Sequence, residues 1–283
     1  MKSSLRCGSR SLDLSRPQVM GILNVTPDSF SDGGVHSGSD AVLDHAVAMV
    51  EAGASIIDVG GESTRPGAAE VSEAQELERV IPAIEQIANT LDVVISVDTS
   101  KAEVIRQACA AGATFINDVR ALRLPGALEA AAETDAAVCL MHMQGDPQTM
   151  QASPVYTDII QEIAHFLSQR CDVCCEAGIA RERLLIDPGF GFGKTLEHNL
   201  QLVAKLKELS ELQLPLLFGA SRKGTIGTLL DATVDKRMVG SVAMALMAVE
   251  RGANIVRVHD VQETVEALMI FNAVNEMAQS AID

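Results

Sequence analysis

Polar and charged side chains follow the ends of several short apolar runs, where buried strands would finish. Carboxylates and amides can pair with hydrogen-bond donors of a ligand, whereas lysine, arginine and histidine side chains bind anions. Any one of these residues alone is also typical of a capped strand end or a salt bridge. Together they predict one functional site, at the opening where the strands end, which we call the mouth. The residues are Asn24, Asp58, Asp98, Asn117, Asp187, Lys223, Arg257 and His259.

A weak internal repeat indicates why these side chains should meet. In each of four segments a helical pattern ends at a glycine, a short apolar strand follows, and a polar residue ends that strand. Glycine suits the left-handed conformation that closes a helix. In three repeats the polar residue lies five positions after the glycine, at Asp58, Asn117 and Arg257. Equivalent positions converge at one end of a closed barrel. The four glycines are Gly53, Gly112, Gly178 and Gly252.

Eight apolar runs alternate with helical patterns along the chain. The runs lack polar alternation, which suits parallel strands covered on both faces. Eight such units favour an α/β fold of the closed (β/α)8 type, a TIM barrel, over an open doubly wound sheet. No linker interrupts the series, so we expect one domain over residues 1–283. The predicted strands are Val19–Val25, Ser55–Val59, Val93–Asp98, Thr114–Asn117, Ala137–Met141, Leu184–Asp187, Leu216–Ala220 and Asn254–Val258.

Two long loops rich in small and polar residues follow the first two predicted strands, at 26–34 and 60–67. They could be plain connections, but loops of this length in a compact barrel are more often binding loops. Phe30 in the first loop supports that interpretation, because an apolar ring there must cover something.

The composition limits the partners. The chain has 283 residues, 47% of them hydrophobic, and a formal net charge of −16. This charge argues against nucleic acid and membrane surfaces as partners. Local cations can still bind a small anion, because physiological salt screens charges over about 8 Å. No apolar run reaches the roughly 18 residues of a membrane helix, and no apolar stretch follows the N-terminal basic residues. We therefore expect a cytoplasmic protein.

Six cysteines are scattered along the sequence, and we expect them to be reduced thiols. Cys171 and Cys174 form a Cys-x-x-Cys pair, a spacing that can bind metal or undergo redox chemistry. The pair lies in a predicted helix without a second pair or neighbouring histidines, so the structural interpretation is preferred.

Seven segments resemble, in order, the signature motifs of the dihydropteroate synthases. The two longest are Met20–Gly34 and Asp58–Gly67. The resemblance extends from about Leu12 to Ala267, and no motif position departs from the pattern. It implies a transferase of folate biosynthesis on a (β/α)8 barrel, which joins a dihydropterin pyrophosphate to para-aminobenzoate and is a target of sulfonamides. The other segments are Ser96–Lys101, Ile116–Asp118, Asp187–Lys194, Ser221–Lys223 and Arg257–Asp260.

The resemblance implies a role for most of the strand-end residues. A pterin edge presents an amino group and a ring N–H, which buried carboxylates and amides match with paired hydrogen bonds. The family's pterin positions fall on Asp98, Asn117, Asp187 and Lys223. Its pyrophosphate positions fall on Thr64, Arg65, Arg257 and His259. Its magnesium ligand falls on Asn24, with water and phosphate completing a hard cation's shell.

The second substrate and the chemistry follow from the same resemblance. The amine of para-aminobenzoate is itself a nucleophile, so catalysis needs positioning and stabilisation of the departing pyrophosphate. The residues expected to act in catalysis are Asp98, Lys223, Arg257 and His259. The para-aminobenzoate site is expected among Phe30, Thr64, Pro66, Phe192, Ser221 and Arg222.

Two other functions are compatible with parts of the sequence. A folate-dependent methyltransferase barrel shares the Asp/Asn/Asp pterin set but lacks the two long loop motifs. A non-enzymatic binding barrel would not release pyrophosphate from the two substrates. A phosphate-loop ATPase is excluded, because Pro188 occupies the place of the first glycine that the motif before Gly193–Thr195 requires.

The family resemblance implies a homodimer, and the last two helices carry apolar stripes that could form it or could equally pack on the barrel. The stripe residues are Met244, Met247, Leu268, Ile270 and Phe271.

Overall fold

The computed structural model describes residues 4–26, 38–62, 71–146, 149–151 and 153–280. A short antiparallel hairpin comes first, formed by β1 (Ser4–Cys7) and β2 (Arg10–Asp13). Eight parallel strands then close a barrel. They are β3 (Gln18–Asn24), β4 (Ile56–Gly60), β5 (Val94–Asp98), β6 (Phe115–Asp118), β7 (Ala137–Met141), β8 (Leu184–Asp187), β9 (Leu217–Phe218) and β10 (Ile255–Val258).

The barrel closes in the order β8-β7-β6-β5-β4-β3-β10-β9. A parallel bridge between Ile186 and Leu216 joins its two ends. The prediction of a (β/α)8 barrel is confirmed, with strand boundaries within one or two residues of those expected. The hairpin was not predicted.

Helices cover the outer face of the barrel between successive strands. Those in the described residues are α1 (Gly38–Glu51), α2 (Glu73–Thr90), α3 (Ala102–Ala111), α4 (Ala127–Ala132), α5 (Ile159–Glu176), α6 (Leu196–Ala204), α7 (Gly224–Leu230), α8 (Met238–Glu250) and α9 (Val261–Ser280). Ser72 begins α2 through a reciprocal capping box with Gln75. The four glycines of the repeat follow α1, α3, α5 and α8, and all have positive φ, between 94° and 122°. None of the helices that the structure describes is long and apolar enough to cross a bilayer.

An apolar layer fills the barrel interior at the amino ends of the strands, and the hairpin packs against it. Residues that face one side of a strand recur every second position. Two positions beyond this layer, five strands therefore present a polar residue to the interior: Asp58, Ser96, Asn117, Asp187 and Arg257. The apolar layer is Met20, Ile56, Val94, Phe115, Ala137, Cys139, Leu185, Leu217 and Ile255, with Leu5, Cys7, Leu12 and Leu14 from the hairpin segment.

Candidate active site

A hydrogen-bonded network of side chains occupies the carboxyl end of the barrel interior. Asp58 is its centre, with no exposed surface. Its carboxylate accepts hydrogen bonds from Ser96 Oγ at 2.5 Å, from Asn117 Nδ2 at 3.1 Å and from Arg257 Nε at 2.6 Å. These residues come from β4, β5, β6 and β10, so the network crosses the barrel.

Arg257 joins two carboxylates from neighbouring strands. Its Nε donates to Asp58, and its Nη2 donates to Asp98 Oδ2 at 2.7 Å. Burial alone would lower the pKa of the guanidinium, but the charges of Asp58 and Asp98 raise it above its ordinary value. Arg257 is therefore a permanent cation at the mouth, and its planar fork fixes the directions of both carboxylates.

Burial dominates the ionisation of Asp98. Removal from water raises the pKa of this carboxyl to about 7, although the charge of Arg257 opposes the shift. A ligand that donates N–H groups to this carboxylate would favour its charged form. The free site therefore holds an acceptor whose ionisation responds to what binds there.

Asp98 gives the folded protein a specific dependence on pH. Its pKa is about 7 in the folded chain, against an ordinary value of 3.8. Between about pH 4 and about pH 7 the folded state holds a proton that the unfolded state has released, so this group's contribution to stability decreases as the pH rises. We expect Asp98→Asn to remove that decrease, seen in melting temperatures measured across this range.

Comparing the wild-type protein with Asp98→Asn isolates the contribution of Asp98 to the pH dependence of stability. Burial lowers the pKa of His142 to about 2, which gives the opposite slope, but both proteins share it. An unchanged pH slope in Asp98→Asn would contradict the assignment.

Asp187 and Lys223 form a second charged group beside the network. Asp187 Oδ1 accepts a hydrogen bond from Gly189 N at 2.7 Å, and burial raises the pKa of its carboxyl while Lys223 opposes the shift. Burial lowers the pKa of Lys223 to about 8, opposed by Asp187. The Lys223 ammonium donates to Phe190 O and lies 4.4 Å from the Phe192 ring centroid. The ring face and the ammonium therefore form one edge of the mouth.

Ser221 and His259 lie together on the adjoining side. Ser221 Oγ is 3.0 Å from His259 Nδ1, and it accepts a hydrogen bond from the backbone N–H of His259 at 3.1 Å. These bonds hold the imidazole at the end of β10, two positions beyond Arg257. Arg222 has a left-handed backbone, with φ of 56°, and its guanidinium pairs with the carboxylate of Asp260.

Asn24 ends β3 next to Gly60. A Cβ at Gly60 would lie 3.7 Å from Asn24 Oδ1 and 3.8 Å from Asp98 Oδ2. The glycine therefore leaves a space lined by two hard oxygen ligands. Within the described ranges no group of three or more His, Cys, Asp or Glu side chains could hold a metal.

An apolar patch borders the polar network, and of its members only Phe192 is among the predicted site residues. Its members pack together near the ends of β6 and β7 and on the segment after β8. Met141 ends β7 and faces inward by the same alternation that places the polar residues, so a search of all strand ends would have found it. The patch is Val119, Met141, Met143, Met150 and Phe192.

Some of the predicted site residues are brought together by the structure, and others lie outside the described residues. The structure brings Asp98, Asn117 and Arg257 into one network, with Asp187, Lys223 and Phe192 beside it. Asp58 and Ser96 complete the network, although the sequence analysis gave neither a binding role. Four predicted residues lie outside the described residues: Phe30, Thr64, Arg65 and Pro66.

The Cys-x-x-Cys pair is part of the hydrophobic core. Cys171 and Cys174 are both buried on α5 among apolar side chains. Burial raises the pKa of Cys171 to about 12 and that of Cys174 to about 11. Both groups are therefore protonated thiols at neutral pH, poor nucleophiles and poor metal ligands.

Known proteins match this chain over nearly its whole length. A family described as pterin binding enzymes matches residues 20–259. Dihydropteroate synthase of Escherichia coli K12 is 59% identical over 263 residues, 93% of each chain. The crystal structure of the Yersinia pestis dihydropteroate synthase with a sulfonamide drug complex has a TM-score of 0.92 at 58% identity, covering 96% of this chain and 99% of that one. The Xanthomonas albilineans dihydropteroate synthase with 4-aminobenzoic acid has a TM-score of 0.92 at 50% identity, covering 97% and 99%. The chain thus belongs to the pterin binding enzyme family and, within it, to the dihydropteroate synthases.

Proposed function

We propose that the mouth of this barrel condenses 6-hydroxymethyl-7,8-dihydropterin pyrophosphate with para-aminobenzoate. The bond between the pterin methylene carbon and the pyrophosphate oxygen breaks, and a bond to the arylamine nitrogen forms. The amine loses one proton, and 7,8-dihydropteroate and pyrophosphate are the products. The observation that carries this proposal is the convergence of buried hydrogen-bond acceptors from β5, β6 and β8 beside two cations.

The pterin site is built from Asp98, Asn117, Asp187 and Lys223. The two carboxylates and the amide oxygen accept the pterin's amino and ring N–H hydrogens, and the Lys223 ammonium donates to its carbonyl oxygen. All three acceptor side chains are buried, so an analogue without matching donors leaves part of their hydrogen-bonding capacity unused. Such sites discriminate strongly between ligands, by roughly 10⁴-fold in favourable cases.

Departure of pyrophosphate is the demanding step. Arg257 and His259 lie two positions apart at the end of β10, where both can face the leaving group. As the carbon–oxygen bond breaks, positive charge develops on the pterin methylene, and the Asp98 carboxylate stabilises it. Thr64 and Arg65 are assigned to the pyrophosphate by the family motif alone, since they lie outside the described residues.

The arylamine approaches from the rim. Phe192 supplies a ring face beside Lys223, and Ser221 supplies a hydroxyl beside His259. Arg222 belongs to the same segment, and Phe30 and Pro66 are assigned by the motifs. Nucleophilic attack then needs only a neutral amine held against the methylene carbon.

Release of pyrophosphate on mixing both substrates tests the function directly. Release that requires both substrates, with formation of dihydropteroate, supports the synthase. Pterin binding without pyrophosphate release would instead support a binding barrel, and methyl transfer from a folate would support the methyltransferase alternative.

Magnesium is the proposed cofactor. The carbonyl oxygen of Asn24 and the space at Gly60 fit a hard cation that takes most of its ligands from pyrophosphate and water. When bound, Mg²⁺ would neutralise charge on the leaving group. Asn24 Oδ1 and Asp98 Oδ2 both lie near that space.

We expect turnover to depend on Mg²⁺ and on Asn24. Removing metal with EDTA should abolish pyrophosphate release, and added Mg²⁺ should restore it. Asn24→Ala should raise the Mg²⁺ concentration for half-maximal activity about tenfold, equivalent to roughly 1.4 kcal/mol. Full activity after exhaustive EDTA treatment would contradict the proposal.

A homodimer is proposed through α8 and α9. Of the stripe residues, Met244 and Leu268 are buried in the chain's own core, whereas Met247 is 46% and Ile270 is 70% exposed. The exposed members continue along α9 as Val274 and others, forming an apolar surface on two adjacent helices. A second copy is the occupant that this family membership favours.

We expect Ile270→Glu to convert the dimer into a monomer in sedimentation experiments, because a charge would be buried at the interface. Val155→Glu is the matched control, since Val155 is 71% exposed outside this surface. A wild-type protein that sediments as a monomer would refute the proposal.

A cytoplasmic location is proposed because the cysteines are free thiols. Burial raises the pKa of Cys7 to about 12, and the described cysteines are all free thiols. Reduced buried cysteines are typical of a reducing compartment.

A further inference from the structure

Lys194 ends the segment that follows β8, and its ammonium is buried. The side chain is 3% exposed. Its Nζ donates to Gly189 O at 2.9 Å and to Phe192 O at 3.0 Å, and it lies 3.1 Å from His142 Nδ1. These three partners match the three hydrogens of an ammonium, and none of them carries a negative charge.

This arrangement is costly for stability. Burial lowers the pKa of Lys194 to about 7, although Asp187 opposes the shift. Burial also keeps His142 neutral, with a pKa of about 2, so its Nδ1 can accept a hydrogen bond from the ammonium. A buried charge is weak support for stability because its desolvation is costly, but its removal leaves the partner carbonyl groups without a donor. The ammonium is therefore better explained by the geometry that it imposes.

The segment that Lys194 holds has little stiffness of its own. Gly189, Gly191 and Gly193 have φ values of 70°, 83° and 58°. A Cβ at Gly189 would lie 1.8 Å from His142 O, so the segment crosses the end of β7 at close range. Glycines permit this path but do not select it. The Lys194 hydrogen bonds fix two of its carbonyl groups.

The same segment sets the position of two residues in the proposed site. Phe192 N donates to Gly189 O at 3.0 Å, which closes the turn that carries the Phe192 ring. That ring lies 4.4 Å from Lys223 Nζ, and Lys223 also donates to Phe190 O. Through these contacts, the position of the Lys194 ammonium determines where the ring and the Lys223 ammonium face the mouth.

We propose that Lys194 is a positioning residue for the arylamine site, which it organises by fixing the backbone from Gly189 to Phe192. The proposal rests on the proposed function of the mouth. Lys194 touches no reacting atom and acts through Phe192 and Lys223. Lys223 also belongs to the proposed pterin site, but pterin binding depends less on Lys194, because Asp98 and Asn117 hold the pterin from other strands.

A matched pair of variants tests the proposal. Arg183 is also a buried cation, 4% exposed, and it donates to the backbone oxygens of Ala136 at 2.8 Å and Ala131 at 3.2 Å. It precedes β8, at the opposite end of the strand from the mouth. Lys194→Met and Arg183→Met should both lower the melting temperature. Only Lys194→Met should raise the KM for para-aminobenzoate, by about tenfold, while the Kd for pterin pyrophosphate changes less than about threefold.

Two further measurements separate positioning from general destabilisation. Lys194→Gln retains two N–H donors, so its KM for para-aminobenzoate should lie between those of the wild-type protein and Lys194→Met. This variant also provides the test if Lys194→Met does not fold. In a Phe192→Leu background, the effect of the Lys194 substitution on KM should shrink, because both act through one ring. An unchanged KM in folded Lys194 variants, or an equal effect in both backgrounds, would overturn the proposal. Absence of pyrophosphate release in the wild-type protein would instead overturn the proposed function.

Discussion

Arg257→Met is expected to abolish turnover and to destabilise the barrel. The substitution leaves the Asp58 and Asp98 carboxylates buried without the cation that bridges them. Breaking a buried ion pair in this way costs about 3–5 kcal/mol. The leaving group also loses a fixed donor, so we expect kcat to fall by at least about 10²–10³-fold. Denaturant unfolding and pyrophosphate release measure the two effects.

Two variants make the Arg257 result specific. Arg257→Lys keeps the charge but cannot donate from a planar fork to two carboxylates at once, so activity should stay low while stability partly recovers. Arg106→Met is the control, since its ion pairs with Glu133 and Glu103 lie on the surface. Near-normal kcat in folded Arg257→Met would remove this residue from the proposed mechanism.

Asp187→Asn and Asn117→Ala are expected to weaken the binding of pterin pyrophosphate by about 10²–10⁴-fold. Asp187→Asn preserves the shape of the side chain and an oxygen that can accept from Gly189 N, so it isolates the charge. Asn117→Ala removes the amide that donates to Asp58. Each variant should still fold, because the apolar layer below the mouth is intact.

Titration calorimetry beside a melting curve measures the loss. Asp118→Asn is the matched control, because Asp118 follows Asn117 and the strand alternation turns it away from the barrel interior. Its carboxylate accepts hydrogen bonds from Ser100 Oγ and the backbone of Arg120 and Leu122. It should lower stability without changing pterin affinity. Equal affinity losses in all three variants would indicate a general disturbance of the barrel and count against the assignment.

Strand periodicity accounts for what could be predicted from the sequence. Parallel strands buried on both faces give continuous apolar runs, so seven barrel strands were expected within about one residue of their ends, whereas β9 is shorter than expected at Leu217–Phe218. The hairpin escaped prediction because β1 and β2 have only four residues each and neither forms a continuous apolar run.

The sequence alone could not predict which charged side chains pair with each other. The repeat placed Asp58 and Arg257 at equivalent strand ends, but only the closed barrel brings these residues, 199 positions apart, into contact. The role of Lys194 could not be predicted from the sequence for a different reason. The residue belongs to the Asp187–Lys194 motif and to a sequence that resembles a phosphate loop, but neither pattern indicates its role, which depends on His142 from another strand end.

The hairpin affects the order in which ligands can bind and leave. It seals the lower end of the barrel with Leu5, Cys7 and their neighbours, so that in the described part of the molecule the mouth is the route of exchange. On the proposed assignment the pterin lies deepest, against Asp98 and Asn117, and the arylamine lies above it. The pterin substrate must therefore arrive first, and a joined product must withdraw with its aromatic end leading. A compound that occupies only the upper position would trap whatever lies beneath it.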